Sequence, residues 1–487
     1  MDEEKHILKT SLYPFQRDAV ERIKEFNGRC LLAMEMGLGK TLVSMCYAFE
    51  SGSFPVVVVC PASLKFNWAS EFAVHYGKKT RILSGREPSK CEPLPTVGQR
   101  VFIINYDVLE AWLPSLLLIR PSLVIFDESH YVKTIDAKRT RACATLAYEA
   151  DRFLALTGTP MTNGNPMELY TTLNMIFGAH FCKKDVFEER YTRSHTIEVP
   201  IKRGRHWNKV KVRKYDGAKN MEELNAFLNN RCMIRKTVVE CLPDLPPFAR
   251  QTTLIDLEPK QRREYTRLEQ EFEDWLTERY PDRKVPRSGM VQAMVHVGYM
   301  KRQVAEWKIP AVIEQIDTFL SGNDGKLIIF GIHRKILDAI WDRYAKKNGK
   351  QPYIVRIDGE VSSGQRQAAV HCFQNVKGTR LFLGQIVAAG TGLTLTASHH
   401  SLFAEVDFVP ANHLQAEKRN YRIGTSNFVH FNYVIARDTI EDIVCNKLFK
   451  KQQTFNSVIE GKTEAVDTGN FDLMSSVLRA QLERMKK

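Results

Sequence analysis

Short runs of apolar residues alternate with stretches of helical periodicity along most of this chain. Such runs occupy residues 31–33, 54–60, 100–106, 123–126 and 153–156. A second set occupies residues 326–330, 353–357, 380–384, 401–405 and 428–435. Continuous apolar runs of this length, separated by helices, are typical of parallel strands that are buried on both faces. The pattern therefore predicts an α/β protein with two doubly wound parallel-sheet lobes.

Proline-rich and charged stretches indicate where the lobes begin and end. Residues 242–247 contain three prolines and form a natural break after the first lobe. We therefore predict a first lobe over residues 1–248, with a helical and basic insertion at about 165–240. The second lobe is predicted over residues 249–455, with a helical protrusion at about 255–310. A helical tail is predicted over residues 456–487.

Composition narrows the class of protein. The chain has 487 residues, of which 44% are hydrophobic and 26% charged, which are globular values. No apolar run approaches the roughly 18 residues that a membrane-spanning helix needs, and the acidic start (Met1, Asp2, Glu3) argues against a secretory signal or transit peptide. The ten cysteines include no Cys-x-x-Cys pair, which predicts free thiols in a reducing compartment. We expect an intracellular protein that is neither secreted nor bound to a membrane.

The formal net charge of +14 indicates a polyanionic partner, and nucleic acid is favoured over an anionic membrane because no basic amphipathic anchor stands out. Residues 201–214 concentrate this charge around Trp207. Lys209, Lys211 and Arg213 alternate with valines, which predicts either a short β-ribbon that contacts phosphates or a solvated basic loop.

A glycine turn follows the first apolar run and leads directly into a helix. Its residues are Met36, Gly37, Leu38, Gly39, Lys40 and Thr41. In such a turn, backbone N–H groups and a helix N-terminus converge on phosphate. Lys40 would then reach the β- and γ-phosphates of a nucleoside triphosphate, and Thr41 would hold Mg²⁺. The first glycine of the general phosphate-loop pattern falls on Met34, so that pattern alone is not satisfied.

Gln16 lies upstream of this loop, just after a helix start at Pro14. Its amide can donate and accept, so it could bind the edge of an adenine base. The alternative is a surface glutamine on an amphipathic helix.

Polar residues follow two further strands at the edge where the ligands of parallel sheets bind. Asp127 and Glu128 end one strand, and residues 157–159 end another. A carboxylate suits Mg²⁺, so Asp127 is the candidate metal ligand, and Glu128 would orient and deprotonate a water. His130 and residues 157–159 would couple the state of the phosphate to the rest of the protein, or else are ordinary turn residues.

The second lobe lacks a phosphate loop but offers two arginines. Arg419 and Arg422 are three positions apart, which predicts one helix face. They could stabilise charge on a transferring phosphoryl group, although such a pair by itself is usually a surface feature. Gly392 lies in a turn of small residues that could contact the nucleotide and a nucleic-acid backbone, or could be a plain loop.

These motifs together resemble those of superfamily-two helicase-like ATPases of the Swi/Snf type, in order and over nearly the whole chain. Residues 36–41 resemble motif I, in which Met-Gly-Leu is typical, and residues 127–130 resemble motif II. Residues 156–160, 388–393 and 415–424 resemble motifs III, V and VI, and residues 357–359 with Arg366 resemble the segment after motif IV. Within the family, residues 127–130, 169–170 and 215–224 are most similar to the HepA-related annealing helicases.

The resemblance implies two RecA-like lobes and a DNA-dependent ATPase that translocates on double-stranded or branched DNA. It implies ATP and Mg²⁺ between the lobes, with Gln16, residues 36–41 and Gly392 binding the nucleotide. Thr41 and Asp127 would hold the metal, and Lys40, Glu128, Arg419 and Arg422 would be catalytic. We expect a monomeric motor, cytoplasmic and nucleoid-associated in a bacterium or virus and nuclear in a eukaryote. In motif VI the chain departs from the family, with Lys418 for aspartate, Tyr421 for histidine and Thr425 for glutamine.

Three alternatives stay open at the level of sequence. The chain could be a true helicase that separates strands of DNA or RNA. It could be a nucleic-acid clamp that binds ATP without hydrolysing it, although the intact Lys40, Glu128, Arg419 and Arg422 argue against this. It could also be a motor that displaces proteins such as polymerase or nucleosomes from DNA.

Overall fold

A computed structural model describes residues 8–91, 94, 100–134, 137–161, 165–203, 206–280, 287–345, 352–390 and 392–446. These residues divide into two compact units, one within Met1–Pro243 and the other within Asp244–Phe455. The tail expected at 456–487 lies outside the described residues. The lobe boundaries at 248 and 455 stay predictions.

The first unit is built on a seven-stranded sheet. Its strands pair in parallel throughout, in the order β3-β4-β2-β5-β6-β1-β9. The strands are β1 (Arg29–Met34), β2 (Val56–Cys60), β3 (Arg81–Ile82), β4 (Val101–Asn105), β5 (Leu123–Asp127), β6 (Arg152–Leu156) and β9 (Met233–Lys236). Every residue of β2, β4 and β5 is buried, as the continuous apolar runs predicted for strands covered on both faces.

Helices fill the connections of this unit. They are α1 (Pro14–Glu25), α2 (Lys40–Glu50), α3 (Lys65–Tyr76), α4 (Leu109–Leu118), α5 (Lys138–Glu149), α6 (Met167–Phe177), α7 (Lys184–Tyr191), α8 (Met221–Arg231) and α9 (Val238–Cys241). A separate antiparallel ribbon joins β7 (Thr192–Arg203) to β8 (His206–Ala218). Of the two alternatives for residues 201–214, the structure therefore shows the β-ribbon, which is longer than expected, and its contact with phosphates stays a prediction.

Strand β9 is a correction to the sequence analysis, which expected helices and irregular segments between residues 165 and 240, apart from the possible ribbon around 201–214. It pairs in parallel with β1 and completes the sheet. With two apolar residues followed by Arg235 and Lys236, it lacks the continuous apolar run by which the other strands were found. Arg235 is tolerated because its Nη1 donates to the carbonyl oxygens of Ala33 (2.9 Å) and Gly158 (3.4 Å).

The second unit contains a six-stranded parallel sheet in the order β10-β15-β14-β11-β13-β12. Its strands are β10 (Phe248–Ile255), β11 (Leu327–Gly331), β12 (Ile354–Ile357), β13 (Leu381–Gln385), β14 (His400–Phe403) and β15 (Val429–Ala436). Its helices are α10 (Pro259–Arg279), α11 (Arg287–Trp307), α12 (Ile309–Gly322), α13 (Arg334–Tyr344), α14 (Ser363–Asn375), α15 (Ile386–Ala389) and α16 (Pro410–Glu417). The two parallel-sheet lobes predicted from the sequence are confirmed, with β10 added at one edge of the second sheet.

The ten cysteines are free thiols, as predicted, and six of them are buried. Burial raises the pKa of the buried Cys46 thiol to about 11, so it packs as a neutral apolar group. Within the described ranges, no helix has the length and apolar character that a bilayer crossing requires.

Candidate active site

The phosphate loop connects the end of β1 at Met34 with the start of α2 at Lys40. Gly37 and Gly39 have φ angles of +88° and +79°, in the left-handed region that glycine adopts at least cost. The Lys40 ammonium donates to the carbonyl oxygens of Met34 (2.9 Å) and Glu35 (3.3 Å). Thr41 lies in the first turn of α2, half-buried. The local chain therefore adopts the strand, turn and helix order predicted for a triphosphate site.

Gln16 is buried, with 2% of its surface exposed, which excludes the alternative of a surface glutamine. Its Oε1 accepts from the backbone N–H of Tyr13 (3.1 Å), and its Nε2 donates to the carbonyl oxygen of Leu38 (3.0 Å). A Cβ on Gly39 would lie 2.4 Å from Gln16 Nε2. Gln16 thus supports the backbone of the phosphate loop, and its contact with an adenine edge stays a prediction.

A cavity of about 480 Å³ opens beside this helix start. It is lined by Tyr13, Pro14, Phe15, Arg235, Lys236, Glu240 and Cys241. The rings of Tyr13 and Phe15 are stacked, with centroids 5.7 Å apart. Aromatic faces together with a few polar groups are suited to a flat heterocyclic ligand. The sequence analysis missed this cavity, because four of its seven lining residues come from the unrecognised strand β9 and the residues after it.

Asp127 ends β5, and its side chain is buried and held by a distant tryptophan. Trp68 of α3 donates from its Nε1 to Asp127 Oδ2 at 2.8 Å. Burial, and then the nearby charge of Glu128, raise the pKa of Asp127 to about 6. The Trp68 hydrogen bond and the charge of Lys40 act in the opposite direction. The charge of Lys40 thus acts on Asp127, although β6 lies between the strands that precede the two residues.

Glu128 adopts a left-handed backbone with a φ of +53°, which is unusual for a residue with a Cβ. Its backbone N–H donates to Asp127 Oδ1 at 3.0 Å. Its Oε2 lies 3.3 Å from Nδ1 of His130. Residues with such a strained backbone conformation cluster at active sites, ligand clamps and switch regions. Here it accompanies a carboxylate that is brought to His130.

The segment after β6 packs directly against the phosphate loop. A Cβ on Gly158 would lie 2.9 Å from Cγ of Met36 and 3.3 Å from its backbone nitrogen. Thr157 Oγ1 accepts from the backbone N–H of Thr159 at 3.1 Å, which closes a tight turn. The two segments are therefore in close contact, and the coupling role of residues 157–159 stays a prediction.

The candidate metal ligands are oxygen atoms, a carboxylate from Asp127 and a hydroxyl from Thr41. Among the described residues, no group of three or more His, Cys, Asp and Glu side chains is placed to share an ion. Mg²⁺ is commonly held by one or two protein oxygens together with waters and substrate phosphates. The residues present therefore fit Mg²⁺ that arrives with a nucleotide.

Arg419 and Arg422 do not lie on one helix face, which corrects the sequence analysis. Helix α16 ends at Glu417, and the chain continues through a turn. The turn is tightened by the backbone N–H of Arg419, which donates to the carbonyl oxygen of Ala416 at 3.1 Å. The three-residue spacing predicted a helix because the sequence carries no proline or glycine before Gly424 to end it.

The turn nevertheless brings the two arginines together on one backbone atom. Nη1 of Arg419 and Nη1 of Arg422 donate to the carbonyl oxygen of Leu393, at 3.2 Å and 3.3 Å. Arg422 also donates to Thr394 Oγ1 at 2.8 Å. Gly392, the preceding residue, has a φ of +69°. The predicted residues of the second unit therefore form one local cluster around Leu393.

A buried carboxylate anchors the start of this turn. Glu417 is 2% exposed and accepts two hydrogen bonds from Arg250 of β10, at 2.7 Å and 2.6 Å. Tyr433 of β15 donates to the same carboxylate at 2.8 Å. No local pattern in the sequence indicates this cluster, because the pairing of β10 with β15 and the packing of the end of α16 bring together residues that are far apart in the chain.

The three departures in motif VI fit each other locally. Nζ of Lys418 lies 4.5 Å from the centre of the Tyr421 ring, within cation–π distance. Thr425 Oγ1 accepts from the backbone N–H of Arg422 (3.1 Å) and donates to the carbonyl oxygen of Asn420 (2.6 Å). The turn that carries both arginines is thus closed by this chain's own residues.

Comparison with known proteins identifies two family matches. The SNF2-related domain matches residues 16–305, and the helicase conserved C-terminal domain matches residues 307–424. The resemblance noted from the motifs is confirmed.

Two curated relatives are similar over most of this chain. The DNA annealing helicase and endonuclease ZRANB3 of Mus musculus is 33% identical over 471 residues, which are 96% of this chain and 42% of the relative. The SWI/SNF-related matrix-associated actin-dependent regulator of chromatin subfamily A-like protein 1 of Xenopus tropicalis is 31% identical over 441 residues, or 89% of this chain and 43% of the relative. The chain thus spans less than half the length of these relatives.

A solved structure described as the Sulfolobus solfataricus SWI2/SNF2 ATPase core in complex with dsDNA aligns with 94% of this chain and 95% of its own. Its sequence identity is 22% and its TM-score is 0.42, which is too low for an argument about function.

Proposed function

Because this chain belongs to the SNF2-related family, we propose that it hydrolyses ATP to move along duplex DNA and to remodel or reanneal branched DNA. The observation that carries the proposal is the arrangement of Lys40, Asp127, Glu128 and Gly158 at the ends of neighbouring parallel strands. The printed names of the relatives, among them a DNA annealing helicase, support the choice of DNA as the track.

The first unit binds the nucleotide. In this proposal Gln16 and the cavity beside it receive the base, and residues 36–41 surround the phosphates. Lys40 leaves its backbone acceptors to bind phosphate oxygens, which are stronger acceptors because they are charged. Mg²⁺ held by Asp127 and Thr41 would neutralise phosphate charge when it is bound.

Glu128 orients a water and takes its proton. Its carboxylate is only 14% exposed and faces His130, so its position is defined on one side by protein. General-base catalysis of this kind contributes about 10²- to 10⁴-fold to rate. The contact between Gly158 and Met36 then carries the state of the phosphate loop to residues 157–159.

Arg419 and Arg422 supply positive charge to the phosphoryl group during transfer. Both are held at the Leu393 carbonyl, next to Gly392. Moving them from a neutral carbonyl to a charged phosphate is favourable, and it would couple hydrolysis to motion of their turn.

We also propose that the motor acts as a monomer and inside the cell.

The test is a parallel ATPase measurement with single-stranded, duplex and forked DNA and with RNA. We expect duplex and forked DNA to stimulate turnover most. In Glu128→Gln, ATP binding should be retained and turnover should fall at least a hundredfold, as removal of a general base predicts. Turnover near that of the wild type in this variant would overturn the assignment of the base. Equal rates with and without every nucleic acid would overturn the proposal.

Translocation is separated from strand separation by two displacement assays. A duplex translocase displaces a third strand from a triplex without separating the duplex strands. Unwinding of duplex DNA in the absence of triplex displacement would favour a helicase. Tight ATP binding without turnover in the wild-type protein would favour a non-catalytic clamp.

A further inference from the structure

The ribbon β7–β8 is a separate two-stranded sheet that the proposed ATPase chemistry does not use. Its strands pair from Thr192 opposite Ala218 to Arg203 opposite His206. At about 3.4 Å per residue, twelve residues span roughly 40 Å. Most strands in globular proteins have five or six residues, and isolated two-stranded ribbons are only marginally stable. A ribbon of this length therefore calls for a function that requires reach.

The base of the ribbon is firmly tied to the helices on either side. The backbone N–H of Lys219 donates to the carbonyl oxygen of Tyr191 at 3.0 Å, and Asn220 Nδ2 donates to that of Arg190 at 2.8 Å. Arg190 Nε and the Tyr191 hydroxyl both donate to Glu223 Oε1, at 2.7 Å and 2.8 Å. These bonds join the end of α7 to the start of α8, so the direction in which the ribbon leaves the unit is defined.

The register of the ribbon sorts its positions into two different faces. Directly opposed residues of antiparallel strands share a face, and the face alternates with every residue. One face takes the pairs Thr196–Arg213, Glu198–Lys211, Pro200–Lys209 and Lys202–Trp207. The other takes the pairs His195–Lys214, Ile197–Val212, Val199–Val210, Ile201–Asn208 and Arg203–His206. Four basic positions, one tryptophan and one acidic position thus fall on the first face. The second face has aliphatic positions at its centre and one basic position, Lys214 or Arg203, towards each end.

The basic face is not explained by stability. Over the two strands there are seven Lys or Arg residues and two acidic ones. Only Lys211 lies opposite an acidic residue, Glu198, so the other three basic positions of this face gain no stability from a directly opposed charge. Lys209, Lys211 and Arg213 recur every second residue, at intervals of about 6.8 Å along the strand. A row of positive charge at regular intervals complements a polyanion whose charges also recur regularly along its length.

We propose that the basic face of the ribbon, formed by Lys202, Lys209, Lys211 and Arg213, binds the phosphate backbone of a DNA duplex. The ribbon is then a second nucleic-acid contact, separate from the ATPase motifs, and it increases the affinity of the protein for DNA in every nucleotide state. The inference rests on the proposed function in that DNA is taken as the substrate. The binding is independent of sequence, because contacts to phosphates carry no base information.

The test measures DNA affinity as a function of salt, in the full chain without nucleotide. In Lys209→Gln/Lys211→Gln/Arg213→Gln, the slope of log K against log[salt] should fall in magnitude by up to about 2.7, since each lost phosphate contact contributes about 0.9. Affinity at low salt should fall by at least about tenfold. Neither the affinity nor the salt slope should depend on the base sequence of the duplex.

The matched control removes three charges elsewhere. Lys183, Lys260 and Lys377 are exposed and scattered over the chain, so Lys183→Gln/Lys260→Gln/Lys377→Gln lowers the net charge equally. A salt slope that changes as much in the control as in the ribbon variant would show a general effect of charge and overturn the proposal. So would an unchanged slope in the ribbon variant. Melting temperatures and ATPase rates without DNA, both expected to equal those of the wild type, verify that the variants fold.

Failure of this inference can be told apart from failure of the proposed function. If the ribbon variant binds DNA as the wild type does while ATPase remains DNA-stimulated, only the ribbon assignment is wrong. If neither variant nor wild type shows DNA-stimulated ATPase, the proposed function is wrong, and the salt slopes still report on the ribbon. Normal DNA binding together with lost affinity for poly-glutamate would assign the basic face to an acidic protein segment and overturn the proposal.

Discussion

At the scale of single residues, the properties of the acidic pair are set by a neighbour from another part of the chain. Trp68 lies in α3, yet its indole N–H is bonded to Asp127 at the end of β5. A hydrogen bond to a charged group typically contributes about 1.5–3 kcal/mol. In this case it favours the ionised form of a carboxyl whose burial favours the neutral one.

Trp68→Phe should therefore weaken the binding of Mg²⁺. The substitution keeps an aromatic ring but removes the N–H donor, so the pKa of Asp127 should rise further and the carboxylate should be a poorer ligand. We expect the Mg²⁺ concentration for half-maximal ATPase activity to rise by about tenfold or more, as for other partners of metal ligands.

Trp112→Phe is the control for this prediction. Trp112 is also buried in the first unit, and its Nε1 donates to the carbonyl oxygen of Gly85 at 3.0 Å, away from the acidic pair. An equal shift in Mg²⁺ dependence in both variants would contradict the role assigned to Trp68.

We expect His413 to make the stability of the second unit sensitive to acid. Its side chain is fully buried, and burial lowers its pKa to about 4. The charge of Lys301 lowers the pKa further, whereas the charges of Asp407 and Glu417 act in the opposite direction. The unfolded chain takes up a proton near pH 6.5 and the folded chain only near pH 4, so stability falls as pH drops through this window. Between pH 7 and pH 5 this group should cost about 2 kcal/mol of stability.

His413→Gln should remove that dependence while retaining a hydrogen-bond acceptor for the Asp407 backbone N–H. Urea midpoints at pH 7 and pH 5 measure it. The variant is expected to lose less stability between the two pH values than the wild type, whatever the substitution costs at pH 7. The same acid-induced loss in both proteins would exclude His413 as the origin.

The sequence predicted those residues whose role follows from their place in the chain, directly after a strand. Lys40, Thr41, Asp127 and Glu128 each follow a strand, and the type of residue at that place indicates its chemistry. Trp68, Arg250 and Tyr433 could not be predicted, because the partner of each is chosen by the packing of elements. A tryptophan or arginine has the same local pattern whether or not its polar atom meets a carboxylate.

At the scale of elements, the buried strands were the most predictable and the short or charged ones the least. A strand covered on both faces must be continuously apolar, so β2, β4 and β5 could be recognised directly. Strand β10 is at the edge of its sheet and five of its eight residues are exposed, which removes that signal. The end of α16 was missed because no proline or glycine marks it in the sequence. It coincides instead with Glu417, whose side chain binds Arg250 and Tyr433 from other elements.

Glu417→Gln should disturb the turn that carries Arg419 and Arg422. It weakens a bidentate pair with Arg250 in which the carboxylate is only 2% exposed. Because a displacement of about 1 Å can cost up to a hundredfold in rate, we expect kcat for ATP hydrolysis on DNA to fall roughly tenfold or more. ATP affinity, which depends on the first unit, should stay unchanged.

Glu360→Gln provides the matched control. Glu360 also binds an arginine through two bonds, from Arg334 at 2.7 Å and 2.8 Å, but both side chains are exposed. Exposed pairs contribute little, about 0–1 kcal/mol, so kcat should not change. If ATP affinity fell with kcat in Glu417→Gln, general unfolding would be the better explanation.

At the scale of the whole molecule, the proposed catalytic groups are divided between two compact units. Lys40, Asp127 and Glu128 belong to the first, and Arg419 and Arg422 belong to the second. Neither unit holds the complete set. If the motor is a monomer, each active chain must carry both.

A complementation experiment tests this. Lys40→Ala and Arg422→Ala should each lose at least 90% of the DNA-stimulated ATPase activity, and an equimolar mixture should be no more active than the mean of the two. Activity that rises in the mixture as protein concentration increases would show that two chains share one catalytic centre. The mixture of wild type with Lys40→Ala, expected at half the wild-type rate, is the reference.

The arginine cluster of the second unit meets at a main-chain oxygen, that of Leu393. Every amino acid supplies the same oxygen, so no replacement of Leu393 deletes this acceptor, and a scan of side chains would pass over it. The position of this oxygen can be changed only through the backbone conformation around Leu393. Gly392, with its positive φ, is where this conformation is controlled. Sequence differences that change how readily Arg419 and Arg422 leave this oxygen should therefore concentrate at Gly392, which has no side chain.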